Sequence, residues 1–165
     1  MAEFKPEVGL VIRHAYLWWN EARAGREEGL KDRPCVIVHT RENEHRETEV
    51  YIAPITHASP TVMERAMEMP KATKSRLRLD PQISWIITTE VNRFIWPGPD
   101  IRSTPGGRPA YGPLPATMTR DLVRQIKDNA RDRSLLVIRR DDNALNEEIH
   151  QRRKLKKVKD RNKQR

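Results

Sequence analysis

The sequence predicts a mainly β fold: a small β-barrel with helical decoration, followed by a C-terminal helix and a basic tail. Three observations lead there. Five or six short runs rich in β-branched residues are separated by polar or Pro/Gly-containing breaks. Only Met118, Leu122, Ile126 and Ala130 repeat with the clear period of an amphipathic helix, with Val123 alongside. Short strands with one good helix close most economically as a small, mostly antiparallel barrel.

Residues 7–14 (EVGLVIRH) read as a first strand, 34–40 (PCVIVHT) as a second and 48–56 (TEVYIAPIT) as a third. The polar stretch Arg41–Glu47 makes a hairpin between the last two. A short strand over 65–69 is ended by Pro70, and one or two helical turns over 71–78 are stopped by Asp80-Pro81. Residues 83–91 (ISWIITTEV) read as one further strand, which 92–96 either continues or bends away from. Five prolines and four glycines make 97–113 a loop. The helix after it takes Thr117 as N-cap, and 135–138 is a last strand. No internal repeat is present.

The segment 17–32 is charged and helix-permissive, with Trp18 and Trp19 at its head. Two readings fit it. The tryptophans can cap the open end of the barrel, or one can offer a face on which a nucleobase stacks.

With 165 residues, the expected organisation is one barrel domain over 1–141 and a frayed-helical or disordered tail over 142–165. The apolar share is 36%, the charged share 33% and the mean hydropathy −0.83. No run approaches the roughly 18 apolar residues that cross a bilayer. Met1–Pro6 lacks a signal-peptide core, so a cytoplasmic location is expected, with no membrane partner. Cys35, the single cysteine, lies in an apolar run, which excludes an intrachain disulfide and reads as a small core residue. The five histidines have no metal-ligand spacing and no phosphate-binding glycine loop exists, so no metal or cofactor is expected.

The formal charge of +9 belongs to the tail. From His150 onward there are nine Lys/Arg and one Asp, leaving 23 basic and 22 acidic residues elsewhere. A tail of this kind adds salt-sensitive, sequence-blind affinity for nucleic acid. The body must bind through local sites.

Arg33-Pro34 enters the second strand and Pro54-Ile55-Thr56 closes the third. If those strands pair, a guanidinium and a hydroxyl meet at one rim, a combination that suits a phosphodiester. The structural alternatives are an ion pair of Arg33 with Asp32 or Glu28, and a turn-capping hydroxyl for Thr56.

These residues belong to a longer ordered pattern. A glycine-led strand (Gly9-Leu10-Val11-Ile12) precedes Asp32-Arg33-Pro34, then Ala53-Pro54-Ile55-Thr56. Ser84-Trp85-Ile86-Ile87-Thr88-Thr89-Glu90-Val91-Asn92 follows, then Tyr111-Gly112-Pro113-Leu114-Pro115 before a helix. The order resembles the PemK/MazF toxins of type II toxin–antitoxin systems over about residues 7–130. The resemblance implies an SH3-like barrel of the PemK/MazF/CcdB type and a homodimer with grooves for single-stranded RNA around its interface. It also implies metal-independent endoribonuclease activity that stops translation and growth, and a cognate antitoxin laying an acidic segment over the groove.

By position, Arg33 and Thr56 match the family's catalytic arginine and threonine. Where the family often has an acid followed by glutamine, this chain has Thr89-Glu90. A one-residue shift along a strand reverses the face, so Glu90 takes the acid's place only if a bulge or bend re-aims it. His57, Thr89, Asn92, Arg93, Trp18 and Trp19 are candidate RNA contacts. His57 could instead stand in for the displaced acid. Trp85 and Trp96 read as core or interface aromatics. The alternative reading is a non-catalytic RNA- or DNA-binding module on the same barrel.

Overall fold

The three apolar runs of the N-terminal third form consecutive antiparallel strands in the computed structural model, which describes residues 4–26, 29, 31–61, 65–140, 155–156 and 158–163. These are β1 (Leu10–His14), β2 (Arg33–Glu42) and β3 (Thr48–Thr56). The expected hairpin joins β2 to β3. Six further strands extend the sheet: β4 (Ala66–Glu68), β5 (Trp85–Ile87), β6 (Glu90–Ile95), β7 (Ile101–Arg102), β8 (Gly112–Pro113) and β9 (Leu136–Arg139). The described fold is thus mainly β, a nine-stranded sheet whose central order is β4-β5-β3-β2-β1-β7. All pairings are antiparallel except β6 with β9, and β8 pairs with β1.

Both faces of the central strands are buried. Val11, Val36 and Ala53 face one core with Ile86, Val91 and Leu122. Ile12, Cys35, Ile37, Val50 and Ile52 face a second with Tyr16 and Phe94. Alternate side chains of a strand point to opposite faces, so burial on both sides requires an unbroken apolar run. That is the physical reason for the sequence 35–38. A register shift between Ile37 and His39 places one extra residue, Val38, in β2.

Helix α3 (Ala116–Arg131) buries Leu122 and Ile126 against the first core. Its predicted N-cap is corrected by two residues: Pro115 occupies that position with no side-chain capping bond, and Thr117 lies within the first turn. Two shorter helices are α1 (Trp19–Arg23) and α2 (Lys71–Arg76). Among the described residues of 17–32, the helical part is α1.

Two other expectations are corrected. Residues 83–91 do not form one strand, because β5 ends at Ile87 and β6 begins at Glu90. The polar groups at the break are satisfied from three directions. Thr88 N–H donates to the Arg65 carbonyl, the Asn129 side chain of α3 donates to the Thr88 carbonyl at 2.6 Å, and Leu136 N–H donates to the Thr89 carbonyl. The loop over 97–113 also contributes β7 and β8, which pair with β1. The expected tail over 142–165 falls mostly outside the described residues; 155–156 and 158–163 are helical. No helix among the described residues is long and apolar enough to cross a membrane.

Candidate functional site

The register of β2 against β3 brings the two ends together. Cys35 pairs with Pro54 and Val36 with Ala53, and continuing that register sets Arg33 opposite Thr56. Directly opposed residues of an antiparallel pair project from the same face with Cβ atoms about 5 Å apart. Thr56 in turn pairs with Trp85 of β5.

Arg33 and Thr56 line two adjoining cavities. The first, of about 660 Å³, is also lined by Trp18, Asn20, Ser59, Thr61, Arg65, Thr89 and Glu90. The second, of about 480 Å³, is also lined by Lys31, Asp32, His57, Lys74, Asp80 and Ser84. The arginine–threonine pair, with Ala58, forms their common border.

The guanidinium of Arg33 lies 4.9 Å from the centre of the Trp18 ring. This cation–π contact positions the charge without neutralising it. Asp32, the nearest carboxylate in sequence, instead lies 3.9 Å from both Arg13 and Arg102. Glu28 lies outside the described residues. Thr56 Oγ1 accepts a hydrogen bond from Ala58 N–H at 3.1 Å, which leaves its own proton to donate. The capping role and an outward-facing donor therefore coexist in one hydroxyl.

Glu90 is the first residue of β6, directly after the break at 88–89. Its carboxylate lines the first cavity and accepts hydrogen bonds from the Tyr16 hydroxyl and from Trp19 N–H, both at 3.1 Å on Oε1. Partial burial holds its pKa above the ordinary glutamate value, and the charge of Glu21 adds to this. The two hydrogen bonds and the nearby Arg33 oppose the rise. Tyr16 is pushed well above the usual phenol range by burial and by the charge of Glu90. Thr89, beside it, lines the same cavity.

Two buried side chains, Asn92 and Arg140, hold the segment that carries Trp18, and Gly29 packs against it. The Asn92 side chain accepts from Leu17 N–H at 2.9 Å and donates to the Leu17 carbonyl at 2.7 Å. Arg140 donates to the Ala15 carbonyl at 2.7 Å and pairs with Asp100 at 2.9 Å. Gly29 packs so closely that a Cβ there would lie 2.1 Å from the Tyr16 carbonyl oxygen. Any other residue would push the two backbones apart.

In the second cavity, His57 Nε2 contacts both oxygens of Asp80, at 2.9 and 2.8 Å. Asp80 also accepts from Lys74 at 3.2 Å and from Gln82 N–H at 3.0 Å. Its pKa is lowered. Burial works against that direction, but the hydrogen bond and charge of Lys74, the Gln82 N–H and His57 together outweigh it. The Lys74 ammonium is buried and also donates to the Gln82 carbonyl and Ser84 hydroxyl.

Arg33, Thr56, Glu90, Thr89, Trp18 and His57 are thus gathered around one double cavity. Trp19 contributes its backbone N–H to Glu90. Asn92 and Arg93 are not part of it. Asn92 is fully buried and committed to Leu17 and Arg140, and Arg93 pairs with the buried Glu49 at 2.8 Å. Both sit farther along β6, beside Ile52 and Tyr51. Sequence reasoning missed Tyr16, Lys74 and Asp80. Asp80-Pro81 registered only as a helix stop, and nothing local marks Tyr16 or Lys74 as partners of residues elsewhere in the chain. Comparison of the chain with protein-family models and with curated proteins found no match in either.

Proposed function

We propose that this chain is a metal-independent endoribonuclease of the PemK/MazF kind, acting on single-stranded RNA as the toxin of a toxin–antitoxin pair. The observation that carries the reading is the opposition of Arg33 and Thr56 on the shared border of two cavities, with the Glu90 carboxylate in one of them. Metal-free RNA cleavage uses the 2′-hydroxyl of the substrate as nucleophile. It needs a base for that proton, donors for the charge that develops on the phosphoryl oxygens, and a proton for the leaving 5′-oxygen.

Each of the first two tasks has a group suited to it. The planar fork of Arg33 matches phosphoryl oxygens, and the Thr56 hydroxyl adds a donor beside it. Glu90 takes the 2′-hydroxyl proton. Its raised pKa makes it a stronger base than an exposed glutamate. Trp18 offers an aromatic face next to the reacting phosphate. The same reading makes the sheet an SH3-like barrel, the active species a homodimer, and an acidic antitoxin segment its inhibitor.

The test is incubation of pure protein with a long unstructured transcript, followed by mapping of the ends. Fragments ending in a 2′,3′-cyclic phosphate, with 5′-hydroxyl partners and cleavage that survives EDTA, are expected. Metal-dependent cutting that leaves 5′-phosphates would rule the mechanism out. Binding without cutting would favour a non-catalytic RNA-binding module.

A further inference from the structure

We propose that His57, held by Asp80, is the acid that protonates the leaving 5′-oxygen; this rests on the endoribonuclease reading. In an in-line displacement the attacking 2′-oxygen and the departing 5′-oxygen lie on opposite sides of phosphorus. Base and acid must therefore approach from opposite sides of the phosphate. Here Glu90 lines one cavity and His57 the other, and Arg33 and Thr56 belong to both. A phosphate on the border pair has a carboxylate on one side and an imidazole on the other.

The support around His57 is that of an oriented acid–base group. Both Asp80 oxygens engage Nε2, so Nδ1 is the nitrogen left to meet substrate. Asp80, half exposed like His57, is itself fixed by Lys74 and Gln82 N–H, which preorganises its carboxylate. Lys74 is buried with three acceptors, which commits its charge to holding Asp80. Thr56 Oγ1 caps the turn that carries His57, tying the acid to the phosphate-binding hydroxyl.

The step balances. Glu90 accepts the 2′-hydroxyl proton as the 2′-oxygen bonds to phosphorus. The bond from phosphorus to the 5′-oxygen breaks, and the imidazolium gives that oxygen its Nδ1 proton. A cyclic phosphate and a 5′-hydroxyl result, with Glu90 protonated and His57 neutral. Exchange with water restores both.

The experiment uses two substrates. Wild-type protein first cuts a long transcript to locate a cleavage site. A short oligoribonucleotide spanning that site is then made with either the natural 5′-oxygen or a bridging 5′-sulfur at the scissile link. A thiolate departs without a proton, so the sulfur substrate does not need the acid. His57→Ala is expected to slow the oxygen substrate about 10²–10⁴-fold, the range for losing a general acid, and leave the sulfur substrate nearly unchanged. Asp80→Asn, at a positioning residue, should show the same selectivity with a smaller loss. Arg33→Ala should slow both substrates. Equal losses on both substrates for His57→Ala, or wild-type cutting of the oxygen substrate, overturn the assignment while leaving the nuclease reading intact. A folded wild-type protein that cuts neither substrate nor transcript overturns the nuclease reading, and this inference with it.

Discussion

Extending the β2–β3 register past Cys35 and Pro54 sets Arg33 opposite Thr56, both residues line the same two cavities, and the guanidinium of Arg33 is held against the Trp18 ring at 4.9 Å. The opposition comes from strand register and the ring contact from a buried asparagine two strands away. Together they present a cation and a hydroxyl to the same space with little left to reorganise.

Replacing Arg33 by alanine should lower RNA cleavage about 10²–10³-fold, the usual effect of losing a preorganised donor. Arg33→Lys should recover little, because an ammonium lacks the planar fork. Thermal melts should show both variants folded. Cleavage at the wild-type rate by Arg33→Ala would remove the residue from the mechanism.

Glu90→Gln separates activity from stability. The amide oxygen can still accept from Tyr16 and Trp19, while the partly buried charge is gone. Because the folded-state pKa of Glu90 is raised, its contribution to stability is full below the ordinary glutamate range and is lost as pH rises through the folded value. The variant should therefore melt at or above the wild-type temperature at pH 7, yet cleave RNA at least about 10²-fold more slowly. The wild-type rate should fall with acid on a limb lying above the ordinary glutamate pKa, and that limb should vanish in the variant. Melting curves and pH–rate profiles of the two proteins check both points.

Asn92→Ala should cost about 2–4 kcal/mol, because it strands the buried Leu17 N–H and carbonyl and removes an acceptor from Arg140. The loss should be read in urea unfolding. It should also loosen the Trp18 segment, visible as faster amide exchange at residues 15–19.

Trp18→Ala tests the aromatic face. If a nucleobase stacks there, affinity for a short single-stranded RNA should fall by about 1–3 kcal/mol. Fluorescence anisotropy at fixed salt measures this, and unchanged affinity would confine Trp18 to orienting Arg33.

His14 supplies a pH dependence of stability that is separate from the site. Burial, followed by the charges of Arg140 and Arg102, lowers its pKa to about 3. A histidine with a depressed folded pKa is charged more readily in the unfolded chain, so stability falls as pH drops from about 6.5 toward about 3. The loss is on the order of a few kcal/mol. His14→Gln should remove this pH dependence, so the wild-type minus variant difference in unfolding free energy should change across that window.

Much of the fold was legible because its signals are local. β1, β2, β3 and α3 each carry a run or period that only one kind of element satisfies, and each forms close to where it was expected. The two-residue β7 and β8 carry no such signal, because they exist only through pairing with β1. The break between β5 and β6 was hidden for a related reason. Thr88-Thr89 is compatible with a strand, and the bend is held by Asn129 and Leu136 from the far end of the chain.

The linear order of residues was enough to single out Arg33 and Thr56, since a turn proline and a strand register act over short range. It also assigned the excess charge to the tail by simple counting. Where Glu90 points, which residues hold Trp18, and that Asp80 stands behind His57 were decided by the tertiary structure alone. Each depends on a hydrogen bond between groups far apart in the chain. Side-chain direction is set by such partners, and no local pattern encodes them.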